Sequence, residues 1–293
     1  MRLHPKYLQQ EIVNHLFSLY CSFNNRRPHE ELDPRLSIRS FTPTQPLVLD
    51  QDDVSSPSRI LSNAFWRDLP WDRITQELGE LRVLDTGCGS GSYGDYLNTC
   101  SNGKVKQYVG LDVYEHPSWS QAGSLNKRFH RFNGKSIAPS IPEETNFFMS
   151  QSAIEHFQND KKYFSEIRKF IKSHPRPILQ VHLFPSVACL KLYGRHGYRQ
   201  YTPRTVSRIT RMFPDSQCVL FALGGSACNQ VHDAYITQPL AHAGVDERKT
   251  KSEEYRREVI NAILQDKKDQ TTLIEPSFWA LVICSHWKRP LKL

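Results

Sequence analysis

Between Leu81 and Gly91 the chain reads LRVLDTGCGSG. An apolar run ends in an acid and passes at once into a turn with glycine at every second position, Gly87, Gly89 and Gly91. Glycine adopts positive φ without penalty, and its missing Cβ lets backbone N–H groups come close to a ligand. A strand that enters a glycine turn and leaves as a helix offers those N–H groups to a nucleotide-like cofactor. The stretch therefore demands a strand feeding a helix, the unit of an α/β fold. The spacing also excludes one cofactor class. A dinucleotide fingerprint needs G-x-G-x-x-G. Gly87 and Gly89 fit it, but Ser92 stands at the third position.

The chain beyond this stretch repeats the alternation. Strands are expected at 81–85, 107–112, 129–132, 146–150, 178–184, 217–222 and 278–286. Helices are expected at 91–100, 160–173, 203–213 and 248–266. Such alternation builds a mostly parallel sheet with helices on both faces, a three-layer α/β architecture. Ligands in these sheets sit at the carboxyl ends of the strands.

The N-terminal part has a different texture. Residues 1–78 contain no glycine, and 28–58 hold five prolines, at 28, 34, 43, 46 and 57. Helical apolar spacing at Leu8, Ile12, Leu16 and Leu19 predicts a helix over 5–23. The stretch 28–58 reads as an extended arm. Residues 1–78 are thus expected to form a helical and proline-rich extension, and 79–293 the main domain. Within that domain, about 55 residues separate the last two strands, far more than an ordinary connection. The segment 224–277 is read as a lid-like insertion.

Composition narrows the class. With 293 residues, 39% of them hydrophobic and 23% charged, the chain can bury a sizeable core. No apolar run reaches the ~18 residues of a membrane span. The seven cysteines are scattered with no CxxC pair, which reads as reduced thiols in a cytoplasmic protein rather than a zinc knot or disulfide framework. A net charge of +8 favours an anionic partner.

The glycine turn, LDTGCGSG, resembles the first motif of the class I, Rossmann-like S-adenosylmethionine (SAM)-dependent methyltransferases. Tyr108-Val109-Gly110-Leu111-Asp112, an apolar run ending in an acid 21 residues after Gly91, is similar to the second strand of that family. The stretch TNFFMSQSAIEHF, 145–157, resembles its fourth strand and the turn beyond. The resemblance implies a seven-stranded sheet of order 3-2-1-4-5-7-6 with the last strand antiparallel. It implies SAM as cofactor and S-adenosylhomocysteine (SAH) as product. It places Asp85 near the methionine end of the cofactor and Asp112 on the ribose hydroxyls. The implied cofactor-binding set is Asp85, Gly87, Cys88, Gly89, Gly91, Asp112, Val113, Asn133, Ser150 and Gln151. Asn133 stands where the family usually holds the adenine amine with an acid or amide.

Methyl transfer from a sulfonium is an in-line displacement, so the protein mainly positions and desolvates. An oxygen acceptor must also lose its proton, usually to a histidine or carboxylate. His182, His156 and Glu155 are the expected catalytic residues. No metal is expected. Glu155–His156 supplies half of the Glu-x-x-Glu-His metal motif of small-RNA 3′-end ribose methyltransferases, but Ser152 stands at the first glutamate, and His196 lies about one position from the later histidine. Residues 161–214 carry twelve Lys or Arg against one acid, Glu166. Arg195, Arg199, Tyr201 and Arg204 are read as acceptor-binding, since Arg forks suit phosphate or sulfate. The expected activity is methyl transfer to an oxygen of an anionic small molecule or glycan. The alternatives are methylation of RNA, and a non-catalytic binding protein that keeps the fold.

Overall fold

A computed structural model describes residues 31–47, 49, 54–120, 125–193 and 196–291, with scattered positions between 12 and 23. The described positions in 12–23 are helical, as their apolar spacing predicts. The remainder of the helix expected over 5–23 lies outside the described residues.

The sheet has eight strands: β1 (Leu36–Ser40), β2 (Leu81–Thr86), β3 (Val105–Asp112), β4 (Lys127–Arg131), β5 (Phe147–Gln151), β6 (Ile178–Pro185), β7 (Ser216–Leu223) and β8 (Phe278–Ser285). Their order is β1-β7-β8-β6-β5-β2-β3-β4, and only β8 runs antiparallel to its neighbours. The seven strands expected from the sequence are all present, in the expected order. The eighth, β1, falls in the stretch read as an extended arm. It lies parallel to β7, with Leu36 opposite Cys218. Its prolines flank it at 34 and 43, so none removes a ladder hydrogen bond. Asp33 anchors its start: its N–H donates to Ser207 Oγ (2.9 Å), and its carboxylate accepts from Thr210 Oγ1 and Arg35.

The central strands are buried on both sides, as parallel strands between two helical layers must be. On one face, Val83, Phe147, Val181 and Val219 meet α1 (Pro57–Arg67), α2 (Trp71–Leu78) and the long α8 (Ser252–Asp269). On the other, Leu84, Phe148 and Leu220 meet α4 (Asp160–Ser173) and α5 (Pro203–Thr210). Further helices include α3 (Ser92–Cys100), α6 (Ser226–His232) and α7 (Gln238–Ala243), with a single helical turn at Cys189–Leu192 and a π-helical turn at Asp233–Thr237. Among the described residues no helix is long and apolar enough to cross a membrane.

Helices α1 and α2 belong to the residues read as an extension, yet Trp66, Ile74 and Leu61 are fully buried in the main core. The segment 224–277 is likewise packed. The Asp266 carboxylate accepts from the N–H groups of Gly225 (2.7 Å), Ala227 (2.8 Å) and Cys228 (3.1 Å), so α8 satisfies the free donors at the start of α6.

Candidate active site

The glycine turn joins β2 to α3 at the carboxyl end of the sheet. Gly87, Gly89 and Gly91 all have positive φ, at 77°, 52° and 76°. Two of them are also sterically required. A Cβ on Gly87 would lie 2.3 Å from Ala153 Cβ, and one on Gly91 would strike the Phe129 ring at 2.3 Å. The N–H groups of Gly87 and Cys88 both donate to Leu111 O, and that of Gly89 donates to the Asp112 carboxylate (2.8 Å). The first two motifs are therefore one structure. The other Asp112 oxygen accepts from the Val113 N–H (2.7 Å).

Two clefts meet at Gly87. One, of about 340 Å³, is lined by Asp112, Val113, Tyr114, Phe132, Gly134, Ser152, Ala153, His156 and Phe157. Its apolar walls and its terminal carboxylate suit a nucleoside: flat faces for a base and two acceptor oxygens for ribose hydroxyls. The other, of about 700 Å³, runs between α1 and α3. Asp85, Gly89, Arg59, Asn63, Tyr93 and Gln151 contribute to it. Arg59 donates to Tyr93 Oη (2.8 Å), which in turn donates to Asn63 (2.9 Å).

Asp85, the last residue but one of β2, is almost fully buried. One carboxylate oxygen accepts from Tyr108 Oη, and the other has no partner among the described residues. Burial pushes its pKa up to about 7, against the pull of the Tyr108 bond and with a small further push from Asp112. Gln151 ends β5, and its Oε1 accepts from the indole N–H of Trp66 (2.9 Å). The fully buried Trp66 thus fixes a cleft residue from α1. Sequence reasoning missed Trp66, Arg59 and Tyr93, and the one visible signal was an unusually aromatic helix just before the glycine turn.

The expected cofactor set splits. Asp85, Gly87, Cys88, Gly89, Asp112, Val113 and Gln151 line the clefts, while Gly91 shapes the turn as the residue before α3. Asn133 and Ser150 are not among the lining residues. Asn133 Oδ1 accepts from its own loop, from Lys135 N–H (2.9 Å) and Ser136 N–H (3.3 Å), and its neighbours Phe132 and Gly134 line the cleft instead. Ser150 Oγ lies 2.9 Å from His182 Nδ1, fully buried.

That pairing corrects the reading of His182 as a base. Side chains alternate across a strand, and at 182 the ring faces α4, edge-on to Tyr163 and Phe164 at 5.7 and 5.0 Å. It is inaccessible, and burial pulls its pKa down to about 3.

Glu155 and His156 are at the cleft side of the turn after β5. Glu155 is fully buried, His156 is half exposed and lines the smaller cleft, and His196 comes in beside both. The His156 and His196 rings stand edge-to-face at 4.8 Å.

The acceptor set is not assembled. Arg199 reaches Asp160 (3.1 Å) and Gln158 O (2.9 Å), and the buried Tyr201 donates to Asp160 (3.0 Å). Both hold the segment after β6 onto the start of α4. Arg204 is exposed on α5 and lines neither cleft. Arg195 lies outside the described residues. A separate open groove of about 660 Å³ collects Lys161, Lys162, Arg208 and Arg211.

Residues 84–175, which span β2 through α4, match the family described as "Methyltransferase domain". No curated protein matches the chain. Similar solved structures include a SAM-dependent methyltransferase from Archaeoglobus fulgidus, 20% identical, covering 78% of this chain and 94% of that one, with a TM-score of 0.46. The plantazolicin methyltransferase BamL, in complex with a triazolic desmethylPZN analog and SAH, is 16% identical, with coverages of 81% and 88% and a TM-score of 0.47. A loganic acid methyltransferase with SAH is 9% identical, with coverages of 83% and 99% and a TM-score of 0.41.

Proposed function

We propose that this chain, whose residues 84–175 match a methyltransferase domain, moves the methyl group of SAM onto an oxygen of a small-molecule or glycan acceptor. The observation that carries the acceptor reading is the cluster of Glu155, His156 and His196 at the cleft, the polar group placed to take charge of an acceptor proton. The cleft of Asp112 and Phe132 would hold the adenosine, and the cleft of Asp85 and Arg59 the methionine end. Asp85 would meet the methionine ammonium and Arg59 its carboxylate. Such contacts would position the activated methyl for the incoming oxygen, and alignment of that kind is the main source of rate for an already activated donor. Tyr193 extends the cluster, with its ring 5.6 Å from His196 and 4.4 Å from His232. His232 belongs to 224–277, which supports the reading of that insertion as a wall of the acceptor site.

The acceptor need not be anionic. Of the arginines behind that expectation, Arg199 is tied to Asp160 and Arg204 lines neither cleft. The basic groove of Lys161, Lys162, Arg208 and Arg211 favours a second reading, in which RNA lies across α4 and α5.

The test is transfer from radiolabelled SAM to pools of hydroxylated small molecules, glycans and RNA, with the methylated atom located by mass spectrometry. Label on oxygen in the first two pools is expected. Label on nitrogen, or in RNA alone, would overturn the proposal.

A further inference from the structure

Glu155 is fully buried, yet neither carboxylate oxygen has a hydrogen-bond partner among the described residues. A buried carboxylate without partners is strongly disfavoured, and such groups are paired with cations or bind metals. What faces Glu155 is two imidazoles. His156 Nε2 lies 3.9 Å and His196 Nε2 3.7 Å from Oε1, too long for hydrogen bonds. One ligand atom from each of the three residues lies within 4.8 Å of the others.

The arrangement is built, not incidental. His196 is 41 residues from Glu155 in sequence and arrives because 197–198 docks on the Glu155 backbone. The Tyr198 N–H donates to Glu155 O (2.7 Å). Gly197 has φ +65°, and a Cβ there would stand 2.7 Å from the same oxygen. Arg199 then locks the segment to Asp160 and Gln158 O. A glycine, a backbone hydrogen bond and a two-armed arginine all serve to hold a second imidazole beside a buried carboxylate.

The geometry points to a divalent transition-metal site formed by Glu155, His156 and His196. Two imidazole nitrogens and one carboxylate oxygen are the donor set of zinc and its first-row neighbours, and three protein ligands leave positions open. Bond lengths of about 2.0–2.2 Å require the three atoms to draw in by several tenths of an ångström. The two partly exposed histidines can do so by rotation about their side chains. His156 lines the cofactor cleft, so the open positions face it, and an acceptor oxygen there would complete the shell. The sequence argument against a metal asked for a second acid at Ser152. A site of one acid and two histidines has no need of it. The inference deepens the proposed function: with an ion bound, the cluster would act on an acceptor hydroxyl by lowering its pKa through coordination, not by taking the proton as a free base.

The test uses the full chain, stripped with a chelator and titrated with Co²⁺ by visible absorption and with Zn²⁺ by calorimetry. One equivalent should bind with a nitrogen–oxygen cobalt spectrum lacking the strong near-ultraviolet thiolate band, which sets the cysteines aside. Glu155→Gln and His196→Asn should each weaken metal binding by at least the roughly 10- to 100-fold typical of losing an outer-shell partner, since each removes a direct ligand. His196→Asn changes a partly exposed ring, so it should fold normally, and its SAH affinity should match the parent. The inference is overturned if the parent binds neither ion saturably, or if His196→Asn binds as tightly as the parent. Retained methyl transfer by the fully stripped chain together with absent metal binding would sink the metal site alone and leave the proposed function in place.

Discussion

The two halves of the cleft are built by different means. In the proposed cofactor half, the geometry is set by backbone. Gly89 N–H donates to Asp112, and Gly87 and Cys88 N–H groups donate to Leu111 O, so one local run of sequence and the strand beside it fix the geometry. In the proposed acceptor half, the geometry is set by side chains delivered from afar. Glu155 meets His196, 41 residues later, only through the docking of Gly197 and Tyr198. Backbone chemistry leaves a compositional trace in the chain. Long-range side-chain chemistry leaves almost none.

The sharpest way to break this comparison is at the turn. In Gly87→Ala the new Cβ meets Ala153 Cβ at 2.3 Å on a backbone at φ +77°. The left-handed conformation costs roughly 1–2 kcal/mol, and overpacking adds about 1–3 kcal/mol. Together these predict a loss of roughly 2–5 kcal/mol of folding stability in a denaturant titration, with SAH affinity falling as the turn shifts to relieve the clash. Gly87→Ala with Ala153→Gly should recover the overpacking part and not the φ part. Full recovery would mean that backbone conformation does not matter there.

Asp85 tests the same half by pH. Its carboxyl is raised to about 7 by burial. A raised acid favours its neutral form in the fold, so its stabilising contribution is complete below about pH 4 and is lost as pH rises through 7. A cofactor ammonium reverses that preference by attracting the ionised form. SAH affinity should therefore climb between pH 6 and 8, by up to ~10-fold per unit below the pKa. In Asp85→Asn the climb should vanish. A climb that persists in the variant would assign it to another group.

The glycine turn and Asp112 were legible in the sequence because turn, acid and strand lie within about 30 positions, whereas Arg59 and Tyr93, which come from helices on either side of the larger cleft, were not. The sequence also revealed the sheet, since β2, β3 and β5 to β8 each carry a short apolar run between turn signals, while the charged β4 (KRFHR) is read from its place in the strand–helix alternation. It did not reveal β1, whose short edge pairing with β7 is bracketed by prolines that read as a linker. Nor did it separate the faces of β6. Strand periodicity places His182 and Leu183 on opposite sides but does not say which side holds the cleft, and the cleft side is Leu183's, with α1 and α8. Arg199 and Tyr201 were misread for a related reason. An arginine among tyrosines looks like a ligand site, and only the fold shows that Asp160 waits for both.

His182 supplies a smaller effect. Burial depresses its pKa to about 3. A depressed histidine contributes stability that is present above pH 6.5 and lost as pH falls through 3, by up to ~1.4 kcal/mol per unit. In His182→Gln, which keeps a partner for Ser150, the acid limb of a stability curve from pH 7 to 4 should flatten while methyl transfer continues. A collapse of turnover with unchanged stability would restore His182 as the base.

The smallest expected effects separate scaffold from surface. Arg199→Lys keeps the charge but loses the two-armed hold on Asp160 and Gln158 O, which should lower stability by about 1–2 kcal/mol. The acceptor KM should rise only if that segment moves. Arg204→Glu reverses an exposed charge on α5, off both clefts, and should leave stability within about 0.5 kcal/mol and acceptor KM unchanged. If Arg204→Glu instead raises KM while Arg199→Lys does not, the acceptor extends across α5. The basic groove beside it, with Arg208 and Arg211, would then belong to the substrate path, and the contrast between a backbone-built cofactor half and a side-chain-built acceptor half would have to include a charged outer surface.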